Sequence, residues 1–267
     1  MSDLDPDALR QECAALSLPW QVQVVEEIPS TSDALRAAAL RGEPANLVLF
    51  AESQTAGRGR RDNRWVTPRG QDLMFSLLLR PEAPISLWPR LTTLAALAIC
   101  RAIEEELPLQ PQIKWPNDIY INGLKVSGLL AEAVTAPAGM SLVLGIGLNV
   151  NTRDFPPALA GTATSLFQSL PAHLQVRELD RQPIASRLLL QLANQFSRIS
   201  TDYAEAVADV RHRSWLLGKQ IRATVEGQEL YGRALDLNQE GHLILALSDG
   251  SLRTLASAEG VRQVISV

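Results

Sequence analysis

The sequence predicts an α+β protein, in which helices flank a mixed β-sheet and a small β-barrel or sandwich follows at the C-terminus. Apolar runs of strand length alternate with helix-length segments up to residue 216. The pair Asn122-Gly123 predicts a tight hairpin, which argues against a purely parallel sheet. After Gly218 the pattern changes to short alternating runs at roughly ten-residue spacing, which is typical of an all-β unit. We therefore predict a lead-in over residues 1–19, a main domain over 20–216 and a small β domain over 217–267.

The composition is that of a globular protein with a substantial core. The chain has 267 residues, of which 46% are hydrophobic, and a formal net charge of -4. The apolar run over residues 91–103 contains Arg101 and is shorter than the ~18 to 20 residues that a membrane span needs. The acidic N-terminus lacks the basic start and apolar block of a secretory or organellar leader. We therefore expect a cytoplasmic protein.

The cysteines and histidines do not indicate a disulfide or a metal centre. Cys13 and Cys100 lie far apart without a CxxC motif, and we expect Cys100 to be a core residue. The three histidines, His173, His212 and His242, fall in no metal-ligand spacing. We therefore expect no metal held by histidine or cysteine.

The first part of the main domain predicts a strand, a polar turn and a helix. Residues 21–28 alternate as a strand, and a helix-like segment follows and closes at Gly42. Between them stand Ser30, Thr31 and Ser32, whose hydroxyl groups can cap the helix or face a ligand. The pattern alone favours one cap and two solvated hydroxyls.

An arginine-rich segment follows the buried strand predicted over residues 46–51, and we call residues 52–70 the arginine loop. Gly57 and Gly59 permit unusual backbone angles there, and arginine offers a planar fork of donors for phosphate or carboxylate. Among its five arginines stands one acid, Asp62; the arginines are Arg58, Arg60, Arg61, Arg64 and Arg69. The local excess of positive charge predicts an anion-binding loop, with a solvated surface loop as the alternative.

A predicted hairpin brings a lysine and a carboxylate together. If Asn122 and Gly123 form a two-residue turn, Tyr120 pairs with Lys125, and Asp118 shares their face of the sheet. Diagonal neighbours on such a pair lie about 7 to 8 Å apart, which is close enough to flank one substrate. The alternative is an exposed lysine that pairs weakly with an acid.

The rest of the main domain is predicted from length and pattern. Two strands are expected over residues 72–79 and 141–150. Three helices are expected over residues 88–107, 183–199 and 201–215. In the second of these strands, Gly145 and Gly147 leave one face bare, as where a ligand or another backbone approaches closely. A β-bulge is the alternative.

The candidate site contains cations, amides and a carboxylate, but its pattern does not resemble a nucleophile with its base. The sequence has no GxxxxGK[ST] phosphate loop, and GRGRRD is not a GxGxxG motif. Such a set of groups suits direct attack between two bound substrates, where the protein positions them and neutralises developing charge. Phosphoryl or nucleotidyl transfer fits these residues best.

Taken together, the ordered motifs resemble the biotin protein ligases, also called biotin-[acetyl-CoA-carboxylase] ligases. They occur in the family's order and spacing, and they are Ser30-Thr31-Ser32, GRGRR within residues 52–65, KWPND at 114–118, Lys125 with Ser127-Gly128, and GIGLN at 145–149. The resemblance implies a class II synthetase-like catalytic domain that binds biotin and ATP, followed by an SH3-like β-barrel. It also implies two steps: biotin and Mg-ATP give biotinyl-5′-adenylate and pyrophosphate, and then a carrier-protein lysine takes the biotinyl group.

The resemblance further implies roles for individual residues. Biotin would be bound by Ser30, Thr31, Ser32, Gln54, Arg58, Gly59, Arg60 and Lys125. ATP or the adenylate would be bound by Gly57, Arg58, Arg60, Lys114, Asn117, Lys125 and Asn149. The catalytic residues would be Lys125, Arg60 and Asp118, with Asn117 and Asp118 assisting the Mg²⁺ that arrives with ATP or the incoming lysine amine. Arg61, Arg64 and Arg69 receive no role and are expected to be structural or solvated.

Partners and alternatives complete these expectations. The implied acceptor is the biotin carboxyl carrier protein of acetyl-CoA carboxylase. Some family members carry an N-terminal DNA-binding domain, for which this chain starts too late, so we expect a monofunctional ligase without DNA or membrane as partners; a homodimer stays open. The nearest alternative is a lipoate ligase or octanoyltransferase of related fold, and an alternative of another class is a nucleic-acid binding module that uses the arginine loop.

Overall fold

The computed structural model describes residues 4–60, 63–65, 67–136, 139–175 and 177–264. A seven-stranded sheet lies at the centre, with strand order β1-β2-β3-β7-β6-β5-β4. Its strands are β1 (Gln21–Ile28), β2 (Leu47–Gln54), β3 (Leu73–Leu79), β4 (Gln112–Lys114), β5 (Asp118–Ile121), β6 (Leu124–Ala136) and β7 (Gly139–Leu148). The β1–β2 pair is parallel and the other pairs are antiparallel, so the predicted mixed sheet is confirmed.

The helices cover both faces of this sheet. They are α1 (Pro6–Ala15), α2 (Thr31–Leu40), α3 (Arg90–Glu106), α4 (Leu166–Ser169), α5 (Arg181–Phe196) and α6 (Tyr203–His212). Because side chains alternate along a strand, Leu77 of β3 joins the large core with α3 and α5, while Leu78 joins a smaller cluster with α2. The predicted helices are present, with ends that differ by one to three residues.

Helix α2 covers only part of the sheet face on which it packs, and the uncovered part leaves space for a site. On that face, Leu78 and Val143 pack against α2, whereas Ser76, Gly145 and Gly147 share the face by alternation and lie beside the arginine loop. A strip of small residues between helix and loop therefore forms the floor of a cavity.

The predicted β5–β6 hairpin is also confirmed. Asn122 and Gly123 both have positive φ, 52° and 79°, as a type I′ turn requires. Tyr120 pairs with Lys125 as predicted, and a β-bulge follows, so that Asp118 pairs with Gly128. The bulge re-aims the strand, and the side chains of Lys125 and Asp118 meet.

The C-terminal part forms a second sheet of five strands, in the order β11-β10-β9-β8-β12. These are β8 (Gln220–Val225), β9 (Gln228–Leu237), β10 (Leu243–Leu247), β11 (Leu252–Leu255) and β12 (Glu259–Gln263). Across the residues that the structure covers, β11 and β12 do not pair, so the sheet is present but the expected closed barrel is not formed. Its apolar face joins the core of the main domain, which buries it without closure. The boundary between residues 216 and 217 stays a prediction.

Within the described ranges, the longest apolar helices fall short of what crossing a membrane requires.

Candidate active site

A cavity of about 520 Å³ lies between the sheet, the arginine loop and the C-terminal sheet. Its wall includes most of the residues predicted from the motifs, namely Thr31, Ser32, Gln54, Arg58, Gly59, Arg60, Lys114, Asn117, Asp118, Lys125 and Asn149. Residues from five separate stretches of sequence are thus brought to one space. A volume of this size is typical of small-molecule sites.

Two predicted residues lie behind the wall rather than on it. Ser30 caps helix α2, since its Oγ accepts a hydrogen bond from the Asp33 N–H at 3.3 Å. Gly57 accepts a hydrogen bond from the Trp65 N–H at 2.9 Å, and a Cβ at this glycine would lie 2.5 Å from the Trp65 carbonyl oxygen. Both residues hold their neighbours in place.

One end of the cavity has a floor of buried hydroxyl groups. Thr31 Oγ1 and Ser32 Oγ lie 2.8 and 3.0 Å from Ser76 Oγ, and the Thr31 N–H donates to Gln54 Oε1 at 2.8 Å. Gly145 leaves room for this floor, because a Cβ there would lie 2.6 Å from Ser32 Oγ. Hydroxyls both donate and accept, so this end suits a neutral polar group.

Ser76 is a floor residue that belongs to none of the sequence motifs. It is the one polar residue of β3, whose sequence is LMFSLLL, and its side chain is fully buried. A lone hydroxyl in an otherwise apolar buried strand was the available signal, because buried polar groups need partners.

Lys125 and Asp118 form an ion pair on the cavity wall, with Nζ 2.6 Å from Oδ1. The backbone of Lys125 is held from the other side by residues 149–165, which we call the second loop: its N–H donates to Thr162 O, and its carbonyl accepts from Thr164 N–H. Phe155 in this loop also lines the cavity. Of the second loop, only Asn149 was predicted to have a role in the site.

The bare glycine face faces the indole of Trp65. A Cβ on Gly147 would lie 2.3 Å from Trp65 Cε2, and one on Gly128 would lie 3.2 Å from Cζ3. The Lys125 ammonium lies 5.8 Å from the indole centroid. A close approach to this face is therefore present, but a side chain of the arginine loop makes it and not the ligand or backbone that was expected.

Arg58 anchors the arginine loop to the sheet and to α2. Its Nη2 and Nη1 donate to the two carboxylate oxygens of Glu132 at 2.7 and 3.0 Å, and Nη1 also donates to Asp33 at 2.7 Å. The hydrogen bonds to Glu132, followed by the charges of both acids, raise the pKa of Arg58. This guanidinium is engaged by carboxylates of the protein itself.

The other arginines of the loop take different positions. Arg60 crosses the cavity, where Nη1 donates to Asn117 Oδ1 at 2.8 Å and Nη2 lies 3.5 Å from the Ala258 carbonyl. Arg64 lines the cavity, and Arg69 pairs with the exposed Glu26. Arg61 lies outside the described residues.

Lys114 lies at the opposite end from the hydroxyl floor. Its Nζ donates to Tyr120 Oη at 2.9 Å and lies 6.0 Å from the ring centroid of Trp215. Burial lowers the pKa of Lys114, opposed by the charge of Asp118 and assisted by that of Arg262. A phosphate bound here would stabilise the ammonium form and so oppose this lowering of the pKa.

The C-terminal sheet completes the wall. Residues 258–262, in and beside β12, line the cavity, and among them are Glu259 and Arg262. No motif in the sequence indicated this contribution, since the two segments are distant in the chain.

The described residues hold no cluster of three or more His, Cys, Asp or Glu side chains placed to bind a metal. A Mg²⁺ ion that enters with ATP needs fewer protein ligands, because it is commonly held by one or two carboxylates together with the phosphates. Asp118 on the cavity wall supplies one such carboxylate, so the site fits a nucleotide-borne ion.

Two family profiles match the chain. The profile of the Biotin/lipoate A/B protein ligase family matches residues 24–151, and that of the Biotin protein ligase C terminal domain matches residues 216–259. The first match includes the hydroxyl floor, the arginine loop and the Lys125 hairpin.

Named relatives and solved structures agree with the profiles. The chain is 35% identical over 237 residues to the bifunctional ligase/repressor BirA of Bacillus subtilis, covering 87% of this chain and 71% of that protein. It is 34% identical over 249 residues to the biotin--[acetyl-CoA-carboxylase] ligase of Mycobacterium tuberculosis, covering 91% of this chain and 90% of that one. The biotin protein ligase of Aquifex aeolicus in complex with biotin and ATP has a TM-score of 0.81 and 25% identity, over 91% of this chain and 99% of that structure.

Proposed function

Because this chain belongs to the biotin/lipoate A/B protein ligase family and is a biotin protein ligase, we propose the residues with which it activates biotin and transfers it. The observation that carries the assignment is one cavity with a neutral hydroxyl floor at one end and Lys125, Arg60 and Lys114 towards the other. An acid with a polar neutral head and an anionic tail matches this order of groups. Biotin has that form, with a ureido ring and a carboxylate.

The hydroxyl floor binds the ureido group in this proposal. Thr31, Ser32 and Ser76 offer donors and acceptors to its carbonyl and N–H groups, while Gln54 fixes the first turn of α2. The indole of Trp65 forms a side wall next to Lys125. The carboxylate then reaches the Lys125 ammonium.

The first step joins the biotin carboxylate to the α-phosphorus of ATP. A carboxylate oxygen forms the new bond to phosphorus, the bond to the bridging oxygen breaks, and pyrophosphate leaves with its electron pair. The two anions repel each other, so cations are needed where they meet. Lys125 exchanges Asp118 for the substrate carboxylate, Arg60 meets the adenylate, and Lys114 holds phosphate oxygens.

The second step transfers the biotinyl group to a lysine amine. The amine nitrogen attacks the acyl carbon, AMP leaves, and the amine gives up a proton. Asp118, released from Lys125, is a carboxylate on the cavity wall that accepts that proton. The arginine loop shields the adenylate from water between the two steps.

We infer that the acceptor is the biotin carboxyl carrier protein of acetyl-CoA carboxylase and that the enzyme works in the cytoplasm, where ATP is supplied. The names of the relatives support this acceptor. Mg²⁺ enters with ATP and neutralises phosphate charge at the site.

An ATP–pyrophosphate exchange assay tests the activity on purified chain. Biotin, lipoate and no added acid form three arms, and a second reaction offers the carrier domain and its variant with the acceptor lysine changed to arginine. We expect exchange with biotin and labelling of the carrier with the lysine. Exchange with lipoate alone would reassign the substrate, and no exchange with either acid would overturn the function.

A further inference from the structure

Arg181, the first residue of α5, is a buried cation away from the cavity wall. Its side chain is 3% exposed and pairs with that of Glu52, which is 1% exposed, at 2.8 Å between Nη2 and Oε2. Its Nη1 also donates to the backbone carbonyl of Asp72 at 3.1 Å. Burying such a pair has a large desolvation cost, so tight geometry is required to hold it.

Both contacts lie at the base of the arginine loop. Glu52 is the first residue of the loop, and its carbonyl accepts a hydrogen bond from the N–H of Gly70, the last residue, at 2.9 Å. Asp72 follows two residues later, before β3 begins. One planar guanidinium therefore grips the entry and the exit of the loop at once, which a point charge could not do.

The guanidinium of Arg181 is also linked to the second loop, through Asp72. The buried Asp72 carboxylate accepts hydrogen bonds from the backbone N–H groups of Val150, Asn151 and Thr152, at 2.7 to 3.2 Å, and from Thr152 Oγ1 at 2.7 Å. Burial raises the pKa of Asp72, while these donors act in the opposite direction. These amides begin the second loop, whose far end holds the backbone of Lys125.

We propose that Arg181 is a positioning residue for the ligase: it holds the bases of both loops in the register that places Arg60 and Lys125 on the substrate. This proposal rests on the proposed function of the cavity. It adds a residue that touches neither biotin nor ATP and that lies in α5, beyond the matched catalytic profile of residues 24–151.

The test compares Arg181→Met, Arg181→Lys and Glu52→Gln with a matched control on the same helix. Among the described residues, the ion pairs of Arg187 are with Glu105 and Glu106 at the end of α3, so Arg187→Met removes an ion pair that involves neither loop. Each folded variant is assayed for the KM of biotin and ATP, the dissociation rate of the adenylate, and the thermal midpoint.

A second readout needs no substrate. Trypsin cleaves after arginine, and the arginine loop contains Arg58, Arg60, Arg64 and Arg69 among the described residues. Limited digestion followed by mass spectrometry gives the cleavage rate within residues 52–70. This rate reports loop opening even if the wild-type chain shows no ligase activity.

We expect Arg181→Met to raise the KM of biotin and the adenylate dissociation rate by about 10- to 100-fold, since small misplacements carry costs of this order. Loop cleavage should rise in parallel, and Arg181→Lys should recover part of both. A lower thermal midpoint with unchanged KM and cleavage would mean a merely structural role and would overturn the proposal. If Arg181→Met does not fold, the same measurements on Glu52→Gln decide between these outcomes. If the wild-type chain shows no pyrophosphate exchange, only the proposed ligase function is overturned, because loop cleavage still tests the role of Arg181.

Discussion

The ammonium group of Lys125 lies 2.6 Å from Asp118 Oδ1, inside a cavity that also holds Arg60 and Lys114. We expect Lys125→Ala to lower biotin-dependent pyrophosphate exchange by at least about 100-fold, the usual cost of losing one charge-stabilising donor. The exchange assay measures this directly. Lys219→Ala is the control, since Lys219 stacks on Trp215 outside the cavity wall; near-normal exchange in Lys125→Ala would show that the assigned role is wrong.

The lowered pKa of Lys114 predicts a pH dependence. Burial favours the neutral amine, so Lys114 loses its proton at a lower pH than an exposed lysine, and its hold on phosphate weakens as pH rises. As the pH rises, we expect kcat/KM for ATP to begin to fall at a pH below the ordinary pKa of lysine. In Lys114→Arg the cation stays protonated, so this limb of the profile should flatten; an identical limb in both enzymes would assign the titration elsewhere.

The ion pairs of Arg58 with Glu132 and Asp33 hold the arginine loop over the cavity, so weakening them should let the loop open. Glu132→Gln removes one of the two charged partners of Arg58 and leaves Asp33 in place. We expect the adenylate to dissociate about 3- to 10-fold faster, because a partly exposed pair contributes modestly. Rapid dilution of labelled adenylate complex measures the rate. Glu26→Gln on β1 is the control, since Glu26 pairs with Arg69 of the same loop and this pair is exposed. Equal effects of the two changes would contradict the anchoring role of Arg58.

At the scale of elements, strand β7 depends on the absence of a side chain at one position. Gly147→Ala would place a Cβ 2.3 Å from the indole of Trp65 and must displace that side chain of the arginine loop. We expect the affinity for biotin to fall by about 10-fold or more, with little change in the thermal midpoint because the displaced group lies on a loop. Calorimetric titration with biotin measures the affinity.

The double variant Gly147→Ala/Trp65→Ala tests whether a steric clash between the new Cβ and the indole causes the loss of affinity. If the clash is the cause, the two changes are strongly non-additive and the double variant binds no more weakly than Trp65→Ala alone. Additive losses would indicate that Gly147 acts independently of the indole.

At the scale of the whole molecule, the two sheets share one hydrophobic core. Leu94 of α3, Ile221 of β8 and Leu245 of β10 belong to the same buried cluster, and Trp115 Nε1 donates to the Gly241 carbonyl. We expect a single cooperative unfolding transition in scanning calorimetry, shifted upward by biotin with ATP because both bind the folded state. Two resolved transitions would show that the C-terminal sheet unfolds on its own.

Several parts of this structure follow from local chemistry that can be seen in the sequence. The Asn122-Gly123 turn, the pairing of Tyr120 with Lys125 and the bare face at Gly147 were predictable, because turn residues and strand alternation act over a few positions. The identity of the motif residues then indicated the chemistry of the cavity. The choice of Ser30 as the cap, leaving Thr31 and Ser32 for the floor, was not predictable, since all three can cap a helix.

Local patterns in the sequence were sufficient to predict the mixed sheet, the charged loop and the set of cations that an acid and ATP would require. Three features became visible only in the folded chain: Ser76 joins the floor, residues 258–262 complete the wall, and Arg181 contacts the base of the arginine loop. The reason is the sequence separation of these contacts: Arg60 and Ala258 are 198 positions apart, and Arg181 and Asp72 are 109 apart. Contacts at such separations depend on how whole elements pack, which no local pattern specifies.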